Sequence, residues 1–169
     1  MSATARRSSR SSRRRLAVLC VLVPLAVGVL PADPAPAASG YSYADRVVDL
    51  TNRERMRHGC PPLRVSRALS RAALRHGYYL ADRSRLSHRG RGGSDSGDRI
   101  RAAGYRAKRT GENIAAGITR PRAVVRAWMR SPSHRANILD CRLRHVGVAE
   151  VYEPRSAHGY YWVQNFGTR

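Results

Sequence analysis

The sequence predicts an α+β fold in which helices pack on an antiparallel sheet. Three observations predict it. Between Tyr43 and Leu139, apolar residues recur at helical spacing in several separate segments. From His145 the period drops to two, and the chain turns aromatic and β-branched through Tyr160, Tyr161, Trp162, Val163 and Phe166. The segment between these last two runs, Glu153 to His158, carries Pro154 and stops just before Gly159, so the two strands are expected to close as a hairpin. Helices come first and strands last, with no internal repeat.

The elements follow in order. Tyr43, Val47, Leu50 and Met56 mark a helix from Tyr43 to His58, with Ser42 as its N-cap and Gly59 as its stop. Cys60-Pro61-Pro62 is a rigid turn. A second helix starts at Ser66, places Leu69, Ala72, Ala73, His76 and Leu80 on one face, and ends near Ser84. Residues 87–98 hold Ser, Gly and Asp and no apolar residue, which reads as a loop. Asp98 to Ala103 makes one or two helical turns before Gly104. Arg106 to Gly117 reads as irregular chain or a short strand. Thr119 is the expected cap of another helix, with Pro121 in its first turn and Val124, Val125, Trp128 and Met129 on its apolar side. Ser131-Pro132-Ser133 breaks it, and a short helix over 133–139 follows. His145 to Tyr152 and Gly159 to Phe166 are the two strands.

The first residues read as a targeting segment. Arg6, Arg7, Arg10, Arg13, Arg14 and Arg15 precede the apolar run Leu16 to Leu30, and Ala35-Pro36-Ala37 fits a small-residue cleavage site. Residues 1–37 are therefore expected to be a secretory signal peptide cut after Ala37, and 38–42 a short polar lead-in. Ser12-Arg13-Arg14-Arg15-Leu16 partly matches a twin-arginine signal; an ordinary Sec signal is the preferred reading. Cys20 lies inside the apolar run and would leave with it. Cys60 and Cys141 then remain, and in an exported domain two cysteines most simply pair; the alternative is two free buried thiols. No second apolar stretch could anchor the remainder, and a single domain, monomeric by default, is expected.

Charge narrows the partners. The chain carries 32 Lys and Arg against 11 Asp and Glu. After cleavage 26 basic and 10 acidic residues are left, a formal charge of +16, and only Lys108 among the bases is a lysine. Such a surface favours anionic cell-wall or membrane-surface polymers. The arginines are scattered, with no basic stripe, stacking motif or zinc-finger spacing, so nucleic acid is not the expected partner.

Chemistry concentrates at three positions in distinct contexts: Leu86-Ser87-His88, Gly111-Glu112-Asn113-Ile114, and Ser133-His134-Arg135-Ala136-Asn137. Two imidazoles and a carboxylate can hold a divalent metal or move a proton. His88 and His134 are the candidate ligands for Zn²⁺ or another weakly bound divalent cation, and Glu112 is the candidate third ligand, tautomer-fixing acceptor or general base. The opposing reading is a hydrogen-bond network that braces loops. No serine sits in a nucleophile elbow, so covalent catalysis is unsupported. His76 reads as a packing residue on an apolar helix face, and His145 has no assigned role. Asn113 and Asn137 read as loop-fixing amides. Gln164 and Asn165 are expected to open a final turn and face the cleft.

These segments, with Asn52-Arg53-Glu54-Arg55, Asp98-Arg99-Ile100, Gly104-Tyr105, Trp128-Met129 and Gln164-Asn165-Phe166-Gly167, occur in the order found in one family. The chain from about residue 43 to 167 resembles the bacterial branch of the CAP superfamily, the cysteine-rich secretory, antigen 5 and pathogenesis-related 1 proteins. The resemblance implies an α-β-α sandwich with a central antiparallel sheet. It also implies a cleft lined by two His and two Glu, onto which His88, Glu112 and His134 map. The position of the second Glu is Ser131, which puts two-carboxylate chemistry in doubt. In some members such clefts hold small hydrophobic molecules, and Tyr78, Tyr79, Trp128, Met129 and Trp162 are the candidate lining here, although at helical or strand spacing such residues are usually core, which is the preferred reading. The expectation is an exported binding module for a divalent metal or small, lipid-like ligand. The alternatives are a weak metal- or Glu-assisted hydrolase of cell-wall or peptide substrates, and an interaction module with a vestigial cleft.

Overall fold

The computed structural model describes residues 42–169; the expected export signal and Cys20 lie outside them. Five helices, α1 (Tyr43–Arg57), α2 (Arg67–Asp82), α3 (Ser96–Ala102), α4 (Pro121–Arg130) and α5 (Pro132–Ile138), surround four strands. The strands are β1 (Arg64–Val65), β2 (Arg109–Ala116), β3 (His145–Glu153) and β4 (Gly159–Thr168). The sheet order is β1-β3-β4-β2. The three long strands are antiparallel, as expected, and the two-residue β1 adds a parallel edge to β3. No helix among the described residues is long and apolar enough to cross a membrane.

Local chemistry sets the helix ends. Ser42 caps α1 through a reciprocal box: its hydroxyl accepts from Asp45 N at 3.1 Å, and Asp45 returns the bond to Ser42 N at 3.1 Å. Asp95 and Asp98 build the same device at α3, which therefore starts earlier than the Asp98 the sequence suggested. The expected cap at Thr119 is displaced: Arg120 occupies the N-cap of α4 without a side-chain bond, and Pro121, whose missing N–H costs nothing in the first turn, starts the helix. The stretch read as irregular, Arg106 to Gly117, contains the regular eight-residue strand β2.

Alternation along β4 separates two cores. Trp162 and Phe166 face α1 and α4, where Val47, Val124, Val125 and Trp128 pack. Tyr161 and Val163 face α2, against Ala73 and Leu80. β2 alternates likewise, with Ala115 in the first core and Ile114 in the second. Trp128 and Trp162 are fully buried, their indole N–H groups donating to Ile114 O and Ile118 O; with Met129 packed against the same core, they belong to the interior rather than to a ligand surface. α2 approaches β3 so closely that a Cβ on Gly147 would collide with the backbone of Leu69 and Ser70.

The end of α1 is tied to the segment after α5. Cys60 and Cys141 form a disulfide, with Cα atoms 4.9 Å apart and a sequence separation of 81. A closed loop of that length contributes about 4 kcal/mol in the chain-entropy account. One turn away, the fully buried Arg55 donates to four carbonyls, Pro61 (3.0 Å), Ile138 (2.7 Å), Asp140 (3.0 Å) and Leu143 (3.0 Å). The guanidinium thus satisfies backbone groups at the C-terminus of α5 that the helix cannot pair itself.

Candidate functional site

Glu112 lies on the α2-facing side of β2, and its side chain is only 2% exposed. A buried carboxylate needs compensation, and both oxygens receive it. Oε1 accepts from His88 Nδ1 at 2.8 Å, and Oε2 from Arg99 Nη2 at 2.6 Å. The amide of Asn165, the register partner of Glu112 on β4, is best satisfied with its nitrogen toward Oε2 at 3.2 Å and its oxygen toward Ala73 N at 3.1 Å. Burial pushes the Glu112 carboxyl up, but His88 and Arg99 together outweigh it and hold the group below its ordinary value.

Arg99 organises the loop as well as the acid. Its second terminal nitrogen donates to His88 O (3.0 Å) and Ser94 O (2.8 Å), so one side chain of α3 holds the loop that carries His88. Arg99 bears no distinguishing mark in the sequence; it is one of 32 basic residues, and only its place in Asp98-Arg99-Ile100 could have singled it out.

With Nδ1 against the carboxylate, the His88 ring carries its proton there, and Nε2 of the neutral form is a free acceptor. That ring is more than half exposed. His134, on α5, is half-buried; burial, then the charge of His88, lowers its pKa and favours the neutral imidazole.

A chain of amides brings α5 to β2. Asn137 Nδ2 donates to Glu112 O (3.1 Å) and Asn113 Oδ1 (2.9 Å); Asn113 Nδ2 donates to His134 O (3.2 Å) and Gln164 Oε1 (3.1 Å). Gln164 in turn donates to Thr51 of α1 at 2.8 Å. A Cβ on Gly111 would stand 3.0 Å from Asn137 Oδ1, so glycine permits this approach. Asn113 and Asn137 thus act as bracing amides, as read from the sequence. Gln164 and Asn165 do not open a turn: they are fully buried in the middle of β4, which continues to Thr168.

The other expected positions separate. Ser131 lies within hydrogen-bonding distance of Ser133 Oγ, at 3.3 Å, in the first turn of α5. His76 is buried as expected, with Nε2 donating to Ser87 O at 2.9 Å; burial lowers its pKa, so the ring is neutral. His145 gains a partner the sequence did not suggest, Tyr105 Oη at 2.7 Å from its Nδ1. Among the described residues, no group of three or more His, Cys, Asp and Glu is arranged to hold a metal ion.

The fold agrees with one family, and a model of the cysteine-rich secretory protein family, CAP, matches residues 48–166. The chain belongs to that family. This CAP chain is 36% identical over 125 residues to the uncharacterized protein YkwD of Bacillus subtilis, covering 74% of this chain and 47% of YkwD. It is 27% identical over 121 residues to the uncharacterized membrane protein YlbC of the same organism, covering 72% of this chain and 33% of YlbC. It therefore spans half or less of these relatives. Among solved structures, an extracellular SCP-domain protein of Bacillus anthracis superposes with a TM-score of 0.68 at 29% identity, over 75% of this chain and 40% of that one. An outer surface protein of Borrelia burgdorferi shares the fold with a TM-score of 0.67 at 22% identity, over 73% and 90%.

Proposed function

We propose that this CAP domain is exported and acts outside the cell as a binding module, its His88/His134 cleft taking a small ligand or an exchangeable divalent cation. The observation that carries this reading is the saturation of Glu112. One oxygen is held by His88 and the other by Arg99, which leaves neither placed to take a proton from water. What remains on offer is the exposed face of His88 and the His134 ring. A divalent cation would use His88 Nε2 and His134, with Glu112 fixing the His88 tautomer from behind and water completing the shell; two nitrogen ligands make a weak, exchangeable site. The Arg-rich segment ahead of residue 38 and the extracellular and outer-surface descriptions of the similar structures support the location. The excess of arginine supports residence on anionic wall or membrane polymers.

Calorimetric titration with Zn²⁺ tests the cleft. Saturable heat is expected for the wild-type chain and for Glu112→Gln, weaker in the latter by about tenfold, and absent from the His88→Ala/His134→Ala double variant. Equal heats in wild type and double variant would remove the His pair from the function. Hydrolysis of a cell-wall or peptide substrate that disappears in Glu112→Gln would replace the binding reading with the hydrolytic one.

A further inference from the structure

Arginines that look scattered along the chain are gathered by the fold onto one face. α1 packs beside α4, and a groove of about 210 Å³ lies between them. Arg53 and Arg57 of α1 stand on one bank, Arg122 and Arg126 of α4 on the other. A second groove, about 360 Å³, adjoins the first at Met129 and is bordered by Arg130 and by Arg135 of α5. All six arginines are exposed. Three features set what this surface can hold.

The first is charge without compensation. Glu54 is the only acid in either wall among the described residues, and Arg57 already holds it at 2.7 Å. Arg53, Arg122, Arg126 and Arg130 have no carboxylate partner among the described residues. The second is spacing. Arg122, Arg126 and Arg130 follow one another at four-residue steps, so they share one side of α4, each about 6 Å along the axis from the last. Like charges at that spacing repel one another, and an anion laid along the helix removes the repulsion. The third is the floor. Leu50 and Val125 line the first groove and Leu139 the second, all packed on the core. Neither wall holds an aromatic residue.

Guanidinium groups repeated along a line suit anions repeated along a chain. The floor decides what joins those anions. Nucleic-acid bases and sugar rings bind through aromatic faces, which both grooves lack. A face that enters a bilayer carries apolar side chains protruding among its charges, whereas here the apolar residues form the floor. Short aliphatic links fit that floor. We propose that the α1–α4–α5 face binds a linear polyol phosphate, a chain of phosphodiesters joined by acyclic carbon units. Its phosphates meet Arg122, Arg126 and Arg130 in turn, with Arg53 on the opposite bank, and its carbon units lie over Leu50 and Leu139. The proposal deepens the reading of residence on anionic polymers and takes from it only the location outside the cell; the zinc titration of the His pair and the test below succeed or fail separately.

The probe is a short poly(glycerol phosphate), titrated into the whole chain by calorimetry at several salt concentrations. Saturable binding with Kd of about 10 μM is expected. Glycerol 1-phosphate alone should bind about a hundredfold more weakly, because a single anion gains nothing from the repeat. Arg122→Ala/Arg126→Ala should weaken the polymer by about tenfold and lower the slope of log K against log salt by about 1.4. The melting temperature should be unchanged, since both residues are exposed. Arg106→Ala/Lys108→Ala removes the same charge from another basic wall and should change the affinity by less than about threefold. Oligothymidylate and phosphatidylglycerol vesicles, compared at equal phosphate, should bind no more tightly than the polymer. No saturable binding of the polymer, a monomer as tight as the polymer, equal losses in the two double variants, or tighter binding of the oligonucleotide or the vesicles would each overturn the proposal.

Discussion

Arg55 and Arg99 are used in opposite ways. Arg55 is wholly enclosed and faces four backbone carbonyls. Burial lowers its pKa, against the opposing charge of Asp140. Arg99 is 10% exposed along its side chain and faces a carboxylate, two carbonyls and an unfilled position at Nε. The first arrangement exhausts most of the guanidinium on main chain and leaves nothing for a ligand. The second uses charge to hold a buried acid in one state and leaves Nε without a partner. One buried guanidinium is closed by main chain, whereas the other closes a carboxylate and keeps one unmet bond.

The largest effect that tests this contrast is at Arg55. Arg55→Ala leaves carbonyls at the end of α5 without donors and should destabilise the fold by about 4–5 kcal/mol in urea denaturation. Arg55→Lys should recover little, because one ammonium cannot reach four separated oxygens. A loss below about 1 kcal/mol would mean that water replaces the guanidinium, and the contrast would fail.

Arg99→Met is expected to cost less, about 2–3 kcal/mol, because His88 still faces Glu112. Combining it with Glu112→Gln should restore part of the loss, since the stranded acid is then gone; a double-mutant cycle reads the coupling. Additive losses would separate the two residues energetically.

The smallest expected effect is on pH. Glu112 has a folded pKa below its ordinary value near 4.5, so its contribution is complete above that value and is lost as pH falls through the folded pKa. His76 is also depressed, from an ordinary value near 6.5, by burial. Its neutral form is the folded one, and stability is lost as pH falls below about 6.5. Melting temperature should therefore decline in two stages on acidification. Glu112→Gln should shrink the lower stage, to which Asp95 and Asp140 also contribute, and leave the upper; an unaltered lower stage would argue against the Glu112 ion pairs.

How much of this was legible in the sequence depended on whether the signal was local. The start of α1 at Ser42 and the β3–β4 hairpin rest on caps, turns and alternation, all written within a few residues. The strand β2 was obscured because Gly111, Glu112 and Asn113 look like loop composition. Their polarity is satisfied by Asn137, Gln164, His88 and Arg99, which come from elsewhere in the chain. His88, Glu112 and His134 were visible because histidine and glutamate are scarce here and sit in recognisable contexts. Arg55 and Arg99 were invisible for the opposite reason: in so arginine-rich a chain, type alone carries no information about burial. Trp128 and Trp162 fit a core or a cleft by spacing, and they take the core, the preferred reading.

The row of amides from Thr51 through Gln164, Asn113 and Asn137 also settles which residue of β2 stands opposite which of β4. Sliding that pairing by one position would turn Asn113 to the opposite face and bury Gln164 without its mate. An apolar seam would tolerate the misalignment. The distant segment that delivers Glu112 therefore has one docking position, and the placement of the acid is decided by neighbours that do not touch its carboxylate.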